Sequence, residues 1–180
     1  MIRNCLHLPN GVANSLWKHL LPEKPETEEA AFVFVRGAAE AEGIGFQFLD
    51  WWPLGAQDLE VKSPWYLELT DDAKAKAIKR AHDLGASLVE FHSHLGTWPA
   101  QFSASDWAGF QEIVPHCIWR LKGRPYLAVV VAQSGFDGLV WPNSASELTC
   151  LDSITTESRV LHSTGLSFRS WKEGSHDRAI

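Results

Sequence analysis

A mixed α/β fold, one domain with a central mixed β-sheet flanked by helices, is the class this sequence predicts. Three observations predict it. Segments with helical spacing interleave with short apolar segments of strand type. No internal repeat, low-complexity stretch or long linker divides the 180 residues, and that length suffices for one hydrophobic core. The composition, 45% hydrophobic and 21% charged, is that of a chain that buries a core and not of a disordered one.

In chain order, Asn10 is placed to cap a first helix that reaches about Leu21 and is stopped by Pro22. A polar connection, Pro22 to Glu28, leads to a short buried strand, Ala30 to Val35, ending at Gly37. A second strand is predicted over Gly45 to Trp51, with Phe46, Phe48 and Trp52 at alternate positions. Residues Pro53 to Trp65 read as loop, with a short strand at Leu59 to Lys62. Thr70-Asp71-Asp72 starts a helix in which Ala73, Ala77, Ala81 and Leu84 repeat at helical spacing, and Gly85 stops it. Leu88 to His94 reads as a strand with Leu88, Glu90, His92 and His94 on one face. A loop with Gly96 and Pro99 follows, then a helix capped by Ser103 and reaching roughly Val114. Tyr126 to Gln133 is a buried strand, paired with Leu139 to Trp141 across a glycine-containing turn. Beyond Pro142 the periodic signal fades. The domain is drawn at residues 1–172, with 173–180 as a polar, frayed C-terminal tail.

Several function classes are excluded at this level. A formal net charge of −6 gives no electrostatic basis for binding phosphate backbones, so nucleic acid is not an expected partner. The longest apolar run, Leu127 to Ala132, is far too short to span a bilayer, and no membrane partner is expected. The first twenty residues, interrupted by Asn4, His7, Asn10 and Asn14, lack a signal-peptide layout, so the expected location is the cytoplasm. Cys5, Cys117 and Cys150 are sparse and form no Cys-x-x-Cys pair, which argues against a cysteine-built metal site and against a nucleobase deaminase. Cys117 beside His116 is read as a small core residue, and Gly43-x-Gly45 lacks the rest of a dinucleotide fingerprint.

The stretch that carries chemistry is Glu90-Phe91-His92-Ser93-His94 with Ser103-Ala104-Ser105-Asp106. Residues i and i+2 of a strand share a face, so His92 and His94 can aim both imidazoles at one point. A carboxylate from the first turn of the next helix, Asp106, completes three ligands and leaves a fourth tetrahedral position open, the layout of a catalytic zinc site. The bland alternative is a strand with two half-buried histidines beside a normally capped helix, since Ser at the N-cap with an acid three residues on is a common helix start.

The same residues resemble a known signature. His92-Ser93-His94, eight intervening residues, then Ser103-x-x-Asp106 is similar to the His-Ser/Thr-His…Ser-x-x-Asp pattern of the JAMM (MPN+) metalloproteases, bacterial-type deubiquitinase-like members included. That family also has a glutamate between its first helix and first strand, where this chain has Glu29-Ala30-Ala31-Phe32-Val33-Phe34. The likeness covers roughly residues 10 to 133 and implies a JAMM/MPN-like, cytidine-deaminase-like sheet. Three departures stand out: Leu95 where proline is frequent, a loop one residue longer before Ser103, and Phe32 where a small residue is common. The last leaves the register open, so Glu28 is an alternative to Glu29, and either acid can instead be a solvated residue of an acidic connection.

The resemblance implies Zn2+ as cofactor on His92, His94 and Asp106, Glu29 as general base, and Ser103 as either an oxyanion donor or simply the helix cap. It implies as substrate an amide or isopeptide bond at the C-terminus of a ubiquitin-like protein or its conjugates, in precursor processing or deconjugation. Nine tryptophans are many for this length, and Trp51, Trp52, Trp65 and Trp98 are the expected anchors for such a partner, with core packing as the alternative for each. Two rival readings use the same residues. One is a metal-free MPN-type scaffold that only binds. The other is a non-haem iron enzyme with two histidines and one carboxylate.

Overall fold

The computed structural model describes residues 3–41 and 43–176. Its elements run β1 (Arg3–His7), α1 (Asn10–Leu20), β2 (Ala30–Glu40), β3 (Gly43–Pro53), a 3-10 turn (Ala56–Asp58), β4 (Leu59–Lys62), β5 (Leu67–Leu69), α2 (Asp71–Asp83) and β6 (Ser87–Ser93). They continue with α3 (Ala104–Arg120), β7 (Tyr126–Ala132), β8 (Gly135–Trp141), β9 (Thr149–Cys150), β10 (Ser153–Thr155), β11 (Val160–His162) and α4 (Leu166–His176). The class is mixed α/β. The strands form one large mixed sheet in the order β11-β10-β1-β3-β2-β6-β7-β8-β9, and β4 and β5 form a separate hairpin. None of the described helices is long and apolar enough to cross a membrane.

Alternation along the central strands sorts side chains between two cores. Leu88, Tyr126, Ala128 and Val130 pack with Ala77, Ala81, Phe110 and Val114 of α2 and α3 on one face of the sheet. Val89, Phe91, Leu127, Val129 and Val131 pack with Ala13, Leu16 and Leu20 of α1 on the other. β6 sits at the centre, antiparallel to β2 and parallel to β7. A loop or helix following β6 therefore emerges at the middle of the sheet, on the α2/α3 side.

The sheet curls until its two ends meet through the C-terminal segment. Phe136 of β8 bridges Ser163, and the Asp152 amide donates to the Asn4 carbonyl of β1 at 2.9 Å. The Leu151 amide donates to the Gly138 carbonyl at 2.9 Å, and the backbones approach so closely that a Cβ on Gly138 would lie 2.8 Å from that of Leu151.

Several expected boundaries change. The expected cap Asn10 is the first residue of α1, preceded by Pro9, with no side-chain cap; its amide donates instead to Glu157 Oε2 at 2.6 Å. The register of β3 against β2 steps from Asp50 to Phe48, leaving Leu49 as the extra residue of a bulge. Phe46, Phe48 and Trp52 consequently do not share a face: Phe46 and Phe48 join the α1 core, whereas Trp52 joins the other. Helix α3 continues past Val114 to Arg120 with Pro115 inside it, although proline removes one helix hydrogen bond. Helix α4 crosses the expected tail boundary at 172/173 and runs to His176; residues 177–180 lie outside those described.

Candidate metal centre

β6 ends at the top of the sheet, and two hydrogen bonds carry its geometry one residue further: the Ser93 amide donates to the Glu29 carbonyl and the His94 amide to the Val131 carbonyl, each at 2.9 Å. Both histidines are thereby held by backbone. α3 begins opposite them, and its first turn is closed by a capping box. Ser103 Oγ accepts from the Asp106 amide at 3.2 Å, and the Ser103 amide donates to Asp106 Oδ2 at 2.7 Å. The Ser103 hydroxyl also donates to Asp106 Oδ2, at 2.7 Å. The cap and the position of the Asp106 carboxylate are one structure.

The three side chains converge. His92 Nε2 lies 3.2 Å from His94 Nε2 and 3.4 Å from Asp106 Oδ1, and His94 Nε2 lies 3.3 Å from Asp106 Oδ2. The two contacts to Asp106 use different oxygens; with one atom taken from each residue, the three lie within 4.8 Å of one another, a spacing that can close on the donor–donor edges of about 3.3 Å of a tetrahedral zinc. The group is mostly enclosed: His92 is buried, and His94 and Asp106 are partly exposed toward a cleft. Burial works against a charged Asp106, but hydrogen bonds from both histidines, the His92 charge and the Ser103 amide outweigh it and hold the carboxyl well below its usual range. Burial likewise disfavours a charged His92, and Asp106, Glu90 and Glu28 together win and raise it. The acids around the two imidazoles thus favour positive charge at the point the three side chains share.

The two glutamates of the connection part company. Glu29 aims its carboxylate at Lys62 Nζ, 2.6 Å away. Glu28 is 6% exposed and lines the cleft with His92 and Asp106. Burial raises its pKa, the His94 and His92 charges pull it down, and Asp106 pushes it up again. Glu28, not Glu29, is the acid that this geometry sets beside the His/His/Asp group. The reason is register. Ala30 opposes His92 across the β2/β6 pair, and Ser93 Oγ accepts from the Glu29 amide at 2.9 Å, so residue 29 is pinned by its backbone while consecutive side chains diverge. The Glu28 amide donates to the Ser63 carbonyl at 3.0 Å, tying the acid to the β4–β5 hairpin.

Sequence reasoning gave no role to three contributors. Ser93, fully buried, latches the acidic connection onto β6. Glu90, on the His92 face, places Oε1 4.0 Å from His92 Nδ1. Tyr126, fully buried, donates its hydroxyl to Glu90 Oε2 at 2.6 Å. The position of Glu90 two residues before His92 was the available signal. Cys117 is buried, and burial pushes its thiol up to about 12, which agrees with a core residue and not a nucleophile.

One cleft, ≈ 490 Å³, runs from the His/His/Asp group between β5 and α3, past Tyr66, Glu68, Asp71 and Glu112. A second cleft on the other side of His94 and Glu28 is lined by Trp65 and Trp98, each 81% exposed. Trp51 and Trp52 are partly buried against opposite cores. Of the four expected anchors, only Trp65 and Trp98 stand exposed at the site.

No protein-family model and no curated protein matches the chain. Among solved structures, it is similar at a TM-score of 0.35 and 9% identity to the Trichoplax adhaerens STIL N-terminal domain. The likeness spans 72% of this chain but only 37% of that one, and is too slight to establish a common fold.

Proposed function

We propose that this chain is a zinc-dependent hydrolase of amide bonds, with His92, His94 and Asp106 as ligands and Glu28 as general base. The single observation that carries the reading is the company the three ligands keep. Glu28, 6% exposed as a residue, opens its carboxylate onto the same cleft beside them, where it accepts no hydrogen bond from a described residue. A purely structural acid at such a depth is normally hydrogen-bonded.

A bound zinc ion would supply Lewis acidity, polarising the scissile carbonyl and making water ionisable near neutral pH. Glu28 takes the proton of the attacking water on its carboxylate and delivers it to the leaving nitrogen, which departs poorly unless protonated. Ser103, whose hydroxyl is engaged by Asp106 Oδ2, serves to hold that ligand. Glu29 anchors the connection through Lys62.

The finer reading, a JAMM/MPN-like isopeptidase acting at the C-terminus of a ubiquitin-like protein, rests on the sequence signature. It has support in two clefts that meet at the metal group. One is acidic and suits a tail bearing basic residues, and the other presents Trp65 and Trp98 as apolar anchors.

The test uses a ubiquitin-like protein carrying a C-terminal extension or a lysine-linked target. Cleavage directly after its last residue is expected, abolished by chelation and by Glu28→Gln with zinc retained. Equal cleavage of unfolded casein-like peptides would overturn the substrate reading. Full activity of Glu28→Gln with loss in Glu29→Gln would overturn the assignment of the base.

A further inference from the structure

Glu90 and Tyr126 are an expensive pair to place where they are. Both lie on the sheet face that packs against α2 and α3, Tyr126 fully buried among Leu88, Cys117, Leu121 and Trp141. The Glu90 side chain is 16% exposed. An apolar pair of similar volume would fill this layer without the cost of desolvating a carboxylate. The strand pairing sets Tyr126 opposite Leu88, so its ring lies on the His92 face and its hydroxyl reaches along the strand to Glu90 Oε2, at 2.6 Å. The other oxygen, Oε1, is the one nearest His92 Nδ1, at 4.0 Å, an electrostatic contact longer than a hydrogen bond. The opposite ring nitrogen, Nε2, faces His94 and Asp106.

We propose that Glu90, held by Tyr126, is a positioning residue that keeps the proton of His92 on Nδ1 and so presents Nε2 as a lone-pair donor to the metal. This rests on the reading of His92, His94 and Asp106 as a metal site. An imidazole ligates through one nitrogen only when the proton sits on the other, and a carboxylate behind the ring fixes both tautomer and ring orientation. Tyr126 fixes the carboxylate in turn, holding it at the cleft wall behind the ring. His94, partly exposed, has no such carboxylate behind it among the described residues, so His92 is the ligand whose geometry the fold secures.

The experiment measures zinc affinity by competition with a chromophoric chelator, together with the visible spectrum of the cobalt-substituted protein and the melting temperature of the metal-free form. Glu90→Leu should weaken zinc binding about 10–100-fold while the metal-free protein stays folded. Glu90→Gln, which keeps an oxygen of the same shape facing Nδ1 but not the charge, should recover part of that loss. Tyr126→Phe should weaken binding by a smaller factor and shift the cobalt bands, because the carboxylate is retained but no longer held. Glu90→Leu binding zinc within twofold of the parent would overturn the proposal and leave the metal site standing. If Glu90→Leu does not fold, unchanged affinity in both Glu90→Gln and Tyr126→Phe overturns it equally. A parent protein that takes up no zinc overturns the metal reading itself.

Discussion

Two buried carboxylates, Asp137 and Glu28, occupy opposite situations. Asp137 of β8 is fully enclosed, and both of its oxygens are used. Oδ1 accepts from the Gly138 and Gly165 amides at 3.0 Å and from Ser163 Oγ at 2.9 Å, and Oδ2 from the Ser167 amide at 2.8 Å. It knits the last helix to the sheet. Glu28 is nearly as well covered as a residue, yet its carboxylate opens onto the cleft with no donor on it; burial raises its pKa, the His94 and His92 charges lower it and Asp106 raises it. A buried acid surrounded by donors is spent on the fold, and one left without them is available for chemistry.

That contrast can be broken by mutation, and the largest effect should come from Glu28. Glu28→Gln should lower turnover by about 10²–10⁴-fold, since glutamine cannot carry a proton, while zinc content is unchanged. A variant that melts early and loses zinc would place Glu28 with the structural acids. Asp137→Ala should do the reverse. It strands four donors and should cost on the order of 3 kcal/mol in denaturant unfolding, with zinc still bound by the folded fraction.

A subtler consequence concerns pH. The folded protein raises the pKa of Glu28, so ionising this acid destabilises the metal-free fold as pH climbs from the ordinary carboxylate value of 4.5 through the raised one. Metal-free Glu28→Gln should therefore melt higher than the parent at neutral pH, and the gap should close below pH 4.5. A gap that is constant with pH would show that packing, not charge, sets it. Trp98→Ala should reduce kcat/KM on a folded ubiquitin-like substrate about tenfold and leave small peptides unaffected. Glu29→Gln, which breaks only the ion pair with Lys62, should cost under about 1 kcal/mol of stability.

The same contrast explains which parts were legible in the sequence. α2, β6 and β7 carry strong local signals, the Thr70 cap, the His-x-His alternation and the apolar run, and each lies where it was expected. The convergence of His92, His94 and Asp106 was legible because strand alternation and a helix cap fix all three locally. β1 was hidden because one of its buried positions is polar. Asn4 is satisfied by Thr149 Oγ1 and the Cys150 carbonyl, partners that no local pattern announces. The C-terminal segment was hidden for the same reason, its anchor being Asp137 far back in the chain. This segment also supports the site: the Phe102 amide donates to Ser167 Oγ at 2.9 Å, and Thr164 Oγ1 donates to the Ala100 carbonyl at 2.8 Å, steadying the loop between His94 and Asp106. Glu28 against Glu29 could not be settled by composition, because the choice depends on the register of β2 against β6 and on the Ser93 latch.

The central claim is that His92, His94 and Asp106 hold a catalytic zinc, and metal content tests it most directly. Elemental mass spectrometry on the purified protein, after exposure to equal zinc and ferrous iron and removal of loosely bound ions, should find about one zinc per chain. His92→Ala and Asp106→Ala should each lose most of it. No retained metal in the parent, iron in place of zinc, or full zinc occupancy in both variants would contradict the account.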